Sequence, residues 1–228
     1  MSHEQMFRDR RDAGRQLAAR LAEYADRSDV IVLALPRGGV PVAYEVARAC
    51  GLSLDVLLVR KLGVPGQEEL AMGAIASGGI VVLNRRILHS VRISKETLCA
   101  AVERAKQEME RQEREFRGGR AAIEIQGRTV ILVDDGLATG ATMWAAARAV
   151  RPVARQVIVA VPVGAEITCR DLAGEVDQVI CHETPDPFEA VGNFYRDFEA
   201  TSDEEVKELM NASQGRGDKG WDGGLELK

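Results

Sequence analysis

The stretch Val130-Ile131-Leu132-Val133-Asp134-Asp135-Gly136-Leu137-Ala138-Thr139-Gly140-Ala141-Thr142 constrains this chain more than any other. Its apolar, β-branched start reads as a buried strand. Two adjacent carboxylates follow, then a loop of small and hydroxyl residues, then the alanine-rich run 141–150, which reads as a helix. A strand feeding a small-residue loop and a helix N-terminus builds an anion site, because the first helical N–H groups lack internal acceptors and the macrodipole is positive there. Gly136 and Gly140 let backbone approach a ligand, and Thr139 and Thr142 add hydroxyl donors. Asp134 and Asp135 would repel a bare phosphate. They suit a ligand with hydroxyls, a metal or developing positive charge beside its phosphate, as in a phosphorylated sugar that departs through a cation-like state.

The rest of the chain alternates strand and helix. Val30–Leu35, Leu54–Val59, Val130–Val133, Val157–Val161 and Val179–Cys181 read as strands, with helices at 40–49, 141–150 and 165–173. Such alternation, with apolar strands, predicts an α/β fold with a parallel five-stranded sheet flanked by helices. Phe7, Gly14, Leu17, Ala18, Leu21 and Ala25 predict an opening amphipathic helix. Ser94 is placed to cap a long helix running to Arg117, with Leu98, Val102, Ala105, Met109 and Phe116 as its apolar stripe and Glu110/Arg114 and Glu113/Arg117 on its solvent side. Ile80–Leu83 reads as a short strand. In parallel sheets ligands bind outside the carboxyl ends of the strands, so the loops after Leu35, Val59 and Val133 should converge.

Two of those loops carry chemistry of their own. Leu35-Pro36-Arg37-Gly38-Gly39-Val40-Pro41 joins a strand to a helix; its glycines free backbone N–H groups for an oxyanion, and Arg37 adds a fork of charged donors. Arg60-Lys61 ends the second strand and is either a solvated edge or a counter-charge for a polyanion.

Together these residues resemble the type I phosphoribosyltransferases. The segment ending in Thr139-Gly140-Ala141-Thr142 is similar to that family's loop for phosphoribosyl pyrophosphate (PRPP). The resemblance implies transfer of ribose 5-phosphate from PRPP to a nitrogenous base or similar small nucleophile, with release of pyrophosphate and help from Mg²⁺ on Asp134 and Asp135. It implies PRPP contacts from Gly136, Leu137, Ala138, Thr139, Gly140, Ala141 and Thr142, and pyrophosphate contacts from Arg37, Gly38 and Gly39. Arg60 and Lys61 join Asp134 and Asp135 as catalytic candidates, and Leu62–Gly73 resembles the family's mobile loop, with Glu68 and Glu69 as surface residues. The run Thr184–Gly192 resembles the hood of the hypoxanthine-guanine enzymes, so Phe188 either stacks on a base or plugs the core. Ala138 stands where the 6-oxopurine enzymes carry a third acid, as in adenine and orotate enzymes, and these two signals leave the base open. A regulatory protein that senses PRPP or a nucleotide on the same fold is the alternative.

Residues 1–212 are expected to form one such domain, with the hood near 184–200 beside the N-terminal helix, an added long helix, and a flexible tail at 213–228. A formal charge of −5 argues against nucleic acid as partner. No apolar run reaches bilayer length, and residues 1–12 are charged rather than signal-like, which points to a cytoplasmic protein; the resemblance implies an enzyme of nucleotide metabolism. Cys50, Cys99, Cys169 and Cys181 lack metal-site spacing and read as buried free thiols. The family resemblance implies a base or nucleoside monophosphate as the other partner, and a homodimer.

Overall fold

Strands that are apolar along their whole length cannot leave either face in water, so they require helices on both sides. The computed structural model, which describes residues 6–91 and 93–213, has that arrangement. In chain order its main elements are α1 (Arg10–Ala19), β1 (Val30–Ala34), α2 (Gly39–Cys50), β2 (Ser53–Val56), β3 (Val59–Val64), β4 (Gln67–Ala76), β5 (Ile80–Leu83), α3 (Arg85–Val91), α4 (Lys95–Phe116), β6 (Thr129–Val133), α5 (Ala141–Val150), β7 (Gln156–Val163), α6 (Glu166–Leu172), β8 (Gln178–Glu183) and α7 (Asp203–Ala212). A parallel five-stranded sheet runs in the order β2-β1-β6-β7-β8.

The pleat sends alternate residues of the central strands into two cores. Val32 and Ala34, with Ile131 and Val133, pack with Leu17 of α1, Val46 of α2, Met109 of α4 and Leu209 of α7. Ile31, Leu33, Val130 and Leu132 pack with Met143 and Val150 of α5 and Leu172 of α6. The register Ala34↔Val133 brings the ends of β1 and β6 level, so the loops that follow them emerge side by side.

Two expectations need correction. The apolar run 54–59 is not one strand: β2 ends at Val56, and Val59 begins a separate antiparallel sheet in the order β3-β4-β5. Continuous hydrophobicity cannot show where a strand changes its hydrogen-bonding partner. The glycine-punctuated segment 62–73 is a β-hairpin rather than a loop. Gly66 (φ +81°) makes its tight turn after Pro65. Gly63 sits at a break in register, and Gly73 lies where a Cβ would meet the Val82 carbonyl at 2.5 Å. These glycines serve a sheet. Glu68 and Glu69 lie in β4, and their side chains are outside the described residues, as are residues 214–228 of the expected tail.

The long helix forms as expected, capped by the Ser94 hydroxyl accepting from the Thr97 N–H (3.1 Å). Its last turn is not a solvated face, however. Arg117 is buried, donating to Asp55 (2.8 Å), Glu113 (3.0 Å) and the Val56 carbonyl (3.0 Å). Cys99 is exposed and Cys181 half-buried, rather than buried like Cys50 and Cys169. The chain's start is stitched to its later part by main-chain bonds from Phe7 N–H to the Phe194 carbonyl (3.0 Å) and from Arg196 N–H to the Phe7 carbonyl (2.9 Å). No helix among the described residues is long and apolar enough to cross a membrane.

Candidate active site

The loops after β1, β2 and β6 meet around an open cavity of about 730 Å³ at the carboxyl edge of the parallel sheet, a volume suited to a small ligand. After β1 the Pro36–Arg37 peptide is cis, and Gly38 and Gly39 press against the neighbouring loop. A Cβ on Gly39 would meet the Val133 carbonyl at 2.7 Å and Asp134 Cα at 2.9 Å, and one on Gly38 would collide with the Asp135 carboxylate. Gly39→Ala should therefore force β1 and β6 apart at their ends. A loss of about 1–3 kcal/mol is expected, read as a lower urea midpoint with unchanged slope. Arg37 borders the cavity, but its guanidinium pairs with Asp203 at the start of α7 (2.7 Å).

Asp134 and Asp135 end β6. The Asp134 carboxylate accepts from the Asp135 N–H (2.9 Å), and Asp135 accepts from Arg10 Nε (2.8 Å). Burial, then the neighbouring Asp135 charge, raises the Asp134 carboxyl well above the ordinary carboxylate range. Burial raises Asp135 as well, opposed by Arg10. The empty pair is thus disposed to hold a proton, and a cation or hydroxyl donors entering the cavity would favour its ionised form. Among the described residues no group of three or more His, Cys, Asp and Glu side chains could hold a metal ion. A metal at this pair would draw its remaining ligands from oxygens of the bound molecule or water.

The rest of the loop divides into anchors and open positions. Leu137, expected to contact ligand, is instead a clip: its side chain is buried, its N–H donates to the Val163 carbonyl and its carbonyl accepts from Ala165 N–H (both 2.9 Å). The Ala138 carbonyl accepts from the Thr168 hydroxyl (2.7 Å). Thr139, Ala141 and Thr142 are exposed, and Thr142 lines the cavity. Gly140 (φ +73°) starts α5, a left-handed conformation that favours glycine. Across the cavity, Arg60 and Lys61 of β3 line the wall. Arg60 pairs with Glu108 (2.8 Å), and Gln112 also faces the cavity, so the added helix α4 contributes to the site.

The sequence matches the family model described as "Phosphoribosyl transferase domain" over residues 5–198. The chain belongs to that family. Two Mycobacterium tuberculosis proteins provisionally named phosphoribosyl transferases are 48% identical over 207 residues, covering 90% of this chain and 46% of theirs. A ribose-phosphate pyrophosphokinase of Methanopyrus kandleri is 28% identical over 184 residues, covering 78% of this chain and 46% of its own length. The chain thus spans about half the length of the curated relatives it matches. The crystal structure of TT1426 from Thermus thermophilus superposes with a TM-score of 0.77 at 41% identity, covering 90% of this chain and 97% of that one. The parallel sheet with its helices is thus the fold of a phosphoribosyl transferase domain.

Within this phosphoribosyl transferase domain, sequence reasoning gave no role to the residues packed beside the acidic loop, of which Arg10 and Phe198 line the cavity. Arg10 of α1 reaches Asp135, donates to the Glu199 carbonyl (2.6 Å) and lies over the Phe198 ring at 3.9 Å. Tyr195 donates from its hydroxyl to the Asp135 carbonyl (2.6 Å). Phe188, the base-stacking candidate, is half-buried with its ring 5.3 Å from Phe194, in the small core of Phe7 and Val163. The aromatic ring that lines the cavity is that of Phe198. Arg10 and Asp135 are far apart in sequence, and no local pattern announces such a pair.

Proposed function

We propose that the domain transfers ribose 5-phosphate from PRPP to a nitrogen nucleophile on a small base-like acceptor, releasing pyrophosphate. The observation that carries this reading is the juxtaposition of three unlike parts: Gly38, Asp135 and the cations Arg60 and Lys61 line one cavity, with Gly39 packed on Asp134 directly behind them. Each matches a part of the ligand. Backbone at Gly38 and the start of α5 would receive phosphate groups, whereas the Gly39 N–H is already given to the Leu35 carbonyl (3.1 Å). The carboxylates hold the ribose hydroxyls and face the positive charge that develops on the sugar as pyrophosphate leaves. Mg²⁺, held by Asp134 and Asp135 directly or through water, would help neutralise the leaving pyrophosphate.

The arginines supply the remaining charge by changing partner. Arg37 and Arg60 are held by Asp203 and Glu108, and both carboxylate pairs are open to solvent, where such bonds are weak. A pyrophosphate group can therefore draw both guanidiniums inward. Arg60→Ala is expected to lower kcat/KM for PRPP about a hundredfold, mostly through KM, in an assay that follows pyrophosphate release.

The reading is tested by incubating the protein with PRPP, Mg²⁺ and a panel of purine and pyrimidine bases. Turnover with one of them, lost on Asp134→Asn, supports it. Tight PRPP binding in calorimetry with no turnover on any acceptor would transfer the support to a sensor. Ala138, where the 6-oxopurine enzymes carry an acid, favours adenine-like or pyrimidine acceptors over hypoxanthine and guanine.

A further inference from the structure

Beneath the acidic loop, two thiols that the transfer chemistry does not use converge on one point. Cys169 lies in α6, and Cys181 lies in β8 opposite Val161 of β7. A Cβ on Gly164 would meet Cys169 Sγ at 2.7 Å and Cys181 Sγ at 3.1 Å, so only glycine leaves room for both sulfurs. The Cys181 thiol donates to the Glu183 carbonyl at 3.0 Å. The neighbouring Cys181 thiol holds the Cys169 thiol below the ordinary range, and Cys169 together with burial pushes the Cys181 thiol above it. One sulfur is thus disposed to attack and the other to resolve. Cys169 is buried and Cys181 half-buried; Cys50 is buried as well, but its sulfur faces the Ala18 and Leu21 carbonyls and its thiol is pushed up by burial, and Cys99 stands exposed on α4.

The thiols sit on the mounting of the phosphoribosyl loop. Gly164 bridges Leu137, and Leu137 is held on both its N–H and its carbonyl by Val163 and Ala165. Thr168, the neighbour of Cys169 in α6, holds the Ala138 carbonyl. A covalent bond between α6 and β8 at this point would shift Thr168 and the clip together.

We propose that Cys169 and Cys181 form a reversible disulfide that lowers the affinity of the loop for PRPP, a coupling that rests on the phosphoribosyl reading above. The oxidant class is a hydroperoxide. With hydrogen peroxide, the Cys169 thiolate attacks one oxygen, the O–O bond breaks, and a sulfenic acid forms while the departing hydroxide takes up a proton to become water. The Cys181 thiol then attacks that sulfur, closing the S–S bond and releasing a second water. Both sulfurs are oxidised, both peroxide oxygens are reduced, and a dithiol reductant reverses the step.

The test treats the full chain with hydrogen peroxide, in a Cys99→Ser background to prevent bonds between molecules. Intact mass and peptide mapping report the thiols, and calorimetry with PRPP and Mg²⁺ compares reduced, oxidised and re-reduced protein. Expected are loss of two hydrogens, a peptide joining Cys169 to Cys181, and an affinity about tenfold weaker that dithiothreitol restores. Cys181→Ser should trap Cys169 as a dimedone-reactive sulfenic acid, and its affinity should not fall by that factor on oxidation. Cys169→Ala should abolish both the trap and the fall. Oxygen uptake without the joined peptide overturns the proposal, as does a disulfide that leaves affinity unchanged or a loss that persists in both variants. If the reduced protein binds no PRPP, the phosphoribosyl reading and the coupling fall together, and the joined peptide still decides whether the dithiol reacts.

Discussion

Asp134→Asn is expected to lower turnover about a thousandfold and, at pH 7, to raise the melting temperature. The two effects share a cause. Asp134 is held beside Asp135 in a confined site, and both burial and the neighbouring charge disfavour its ionised form. That charge would face the sugar in the transition state and is costly to the empty protein, a usual trade at active sites. Because the folded state holds this proton more tightly than the unfolded chain, folding stability falls as pH rises from the ordinary carboxylate value through the raised one. The asparagine variant lacks this penalty. Its advantage should be about 1–2 kcal/mol, or about 2–8 °C, at neutral pH and should vanish below the unfolded carboxylate value. Thermal melts across pH check the sign; wild-type turnover in the variant, or a neutral-pH melt below wild type, would sink the account. Asp135→Asn should behave differently, since it also removes the ion-pair partner of Arg10.

The largest stability effect should come from Asp55→Ala, far from the acidic loop in sequence. Asp55 ends in a closed set of bonds: one oxygen accepts from Arg117 (2.8 Å) and the Val56 N–H (2.7 Å), the other from the Ile123 N–H (2.9 Å). Arg117 and Asp55 have side chains only 7% and 5% exposed, so removing the aspartate leaves a buried guanidinium with Glu113 as its remaining carboxylate. Breaking a buried pair in this way costs about 3–5 kcal/mol, which for a chain of this size is about 10 °C or more in melting temperature. The desolvation logic makes a second result specific. Asp55→Leu combined with Arg117→Met should recover most of the loss, because an apolar pair demands no charge compensation. Recovery by the double variant separates the ion pair from simple loss of packing volume. A single Asp55→Ala loss below about 1 kcal/mol would refute the network's role.

Local rules carried the sequence reading where local forces decide. The helix after Gly140 runs from Ala141 to Val150 as its composition indicates, and β6 lies within one residue of the expected strand, because a two-residue or 3.6-residue rhythm reports which side is buried. The meeting of the strand-end loops was equally legible: residues 35–38, 57–61, Asp135 and Thr142 line one cavity, as the rule for the carboxyl edge of a parallel sheet requires. The failures are non-local. Leu57 and Leu58 sit where the chain leaves one sheet for another, and Arg117 looked like a surface i,i+4 partner until Asp55 arrived from β2. Arg10 and Phe198 reach the cavity only through the pairing of Phe7 with the segment 194–196. Helix α7 could have been found: Ser202 caps the Glu205 N–H (3.1 Å), and Val206, Leu209 and Met210 supply the apolar stripe.

That pairing of Phe7 has a consequence for biosynthesis. A nascent chain that has emerged as far as β8 holds every strand of the parallel sheet, yet Arg10 still lacks Phe198 and the Glu199 carbonyl, and Phe7 lacks its main-chain partners. The acidic pair is then in place without its aromatic and cationic wall. On the ribosome the scaffold precedes the pocket, and the first turn of the first helix is among the last parts to dock.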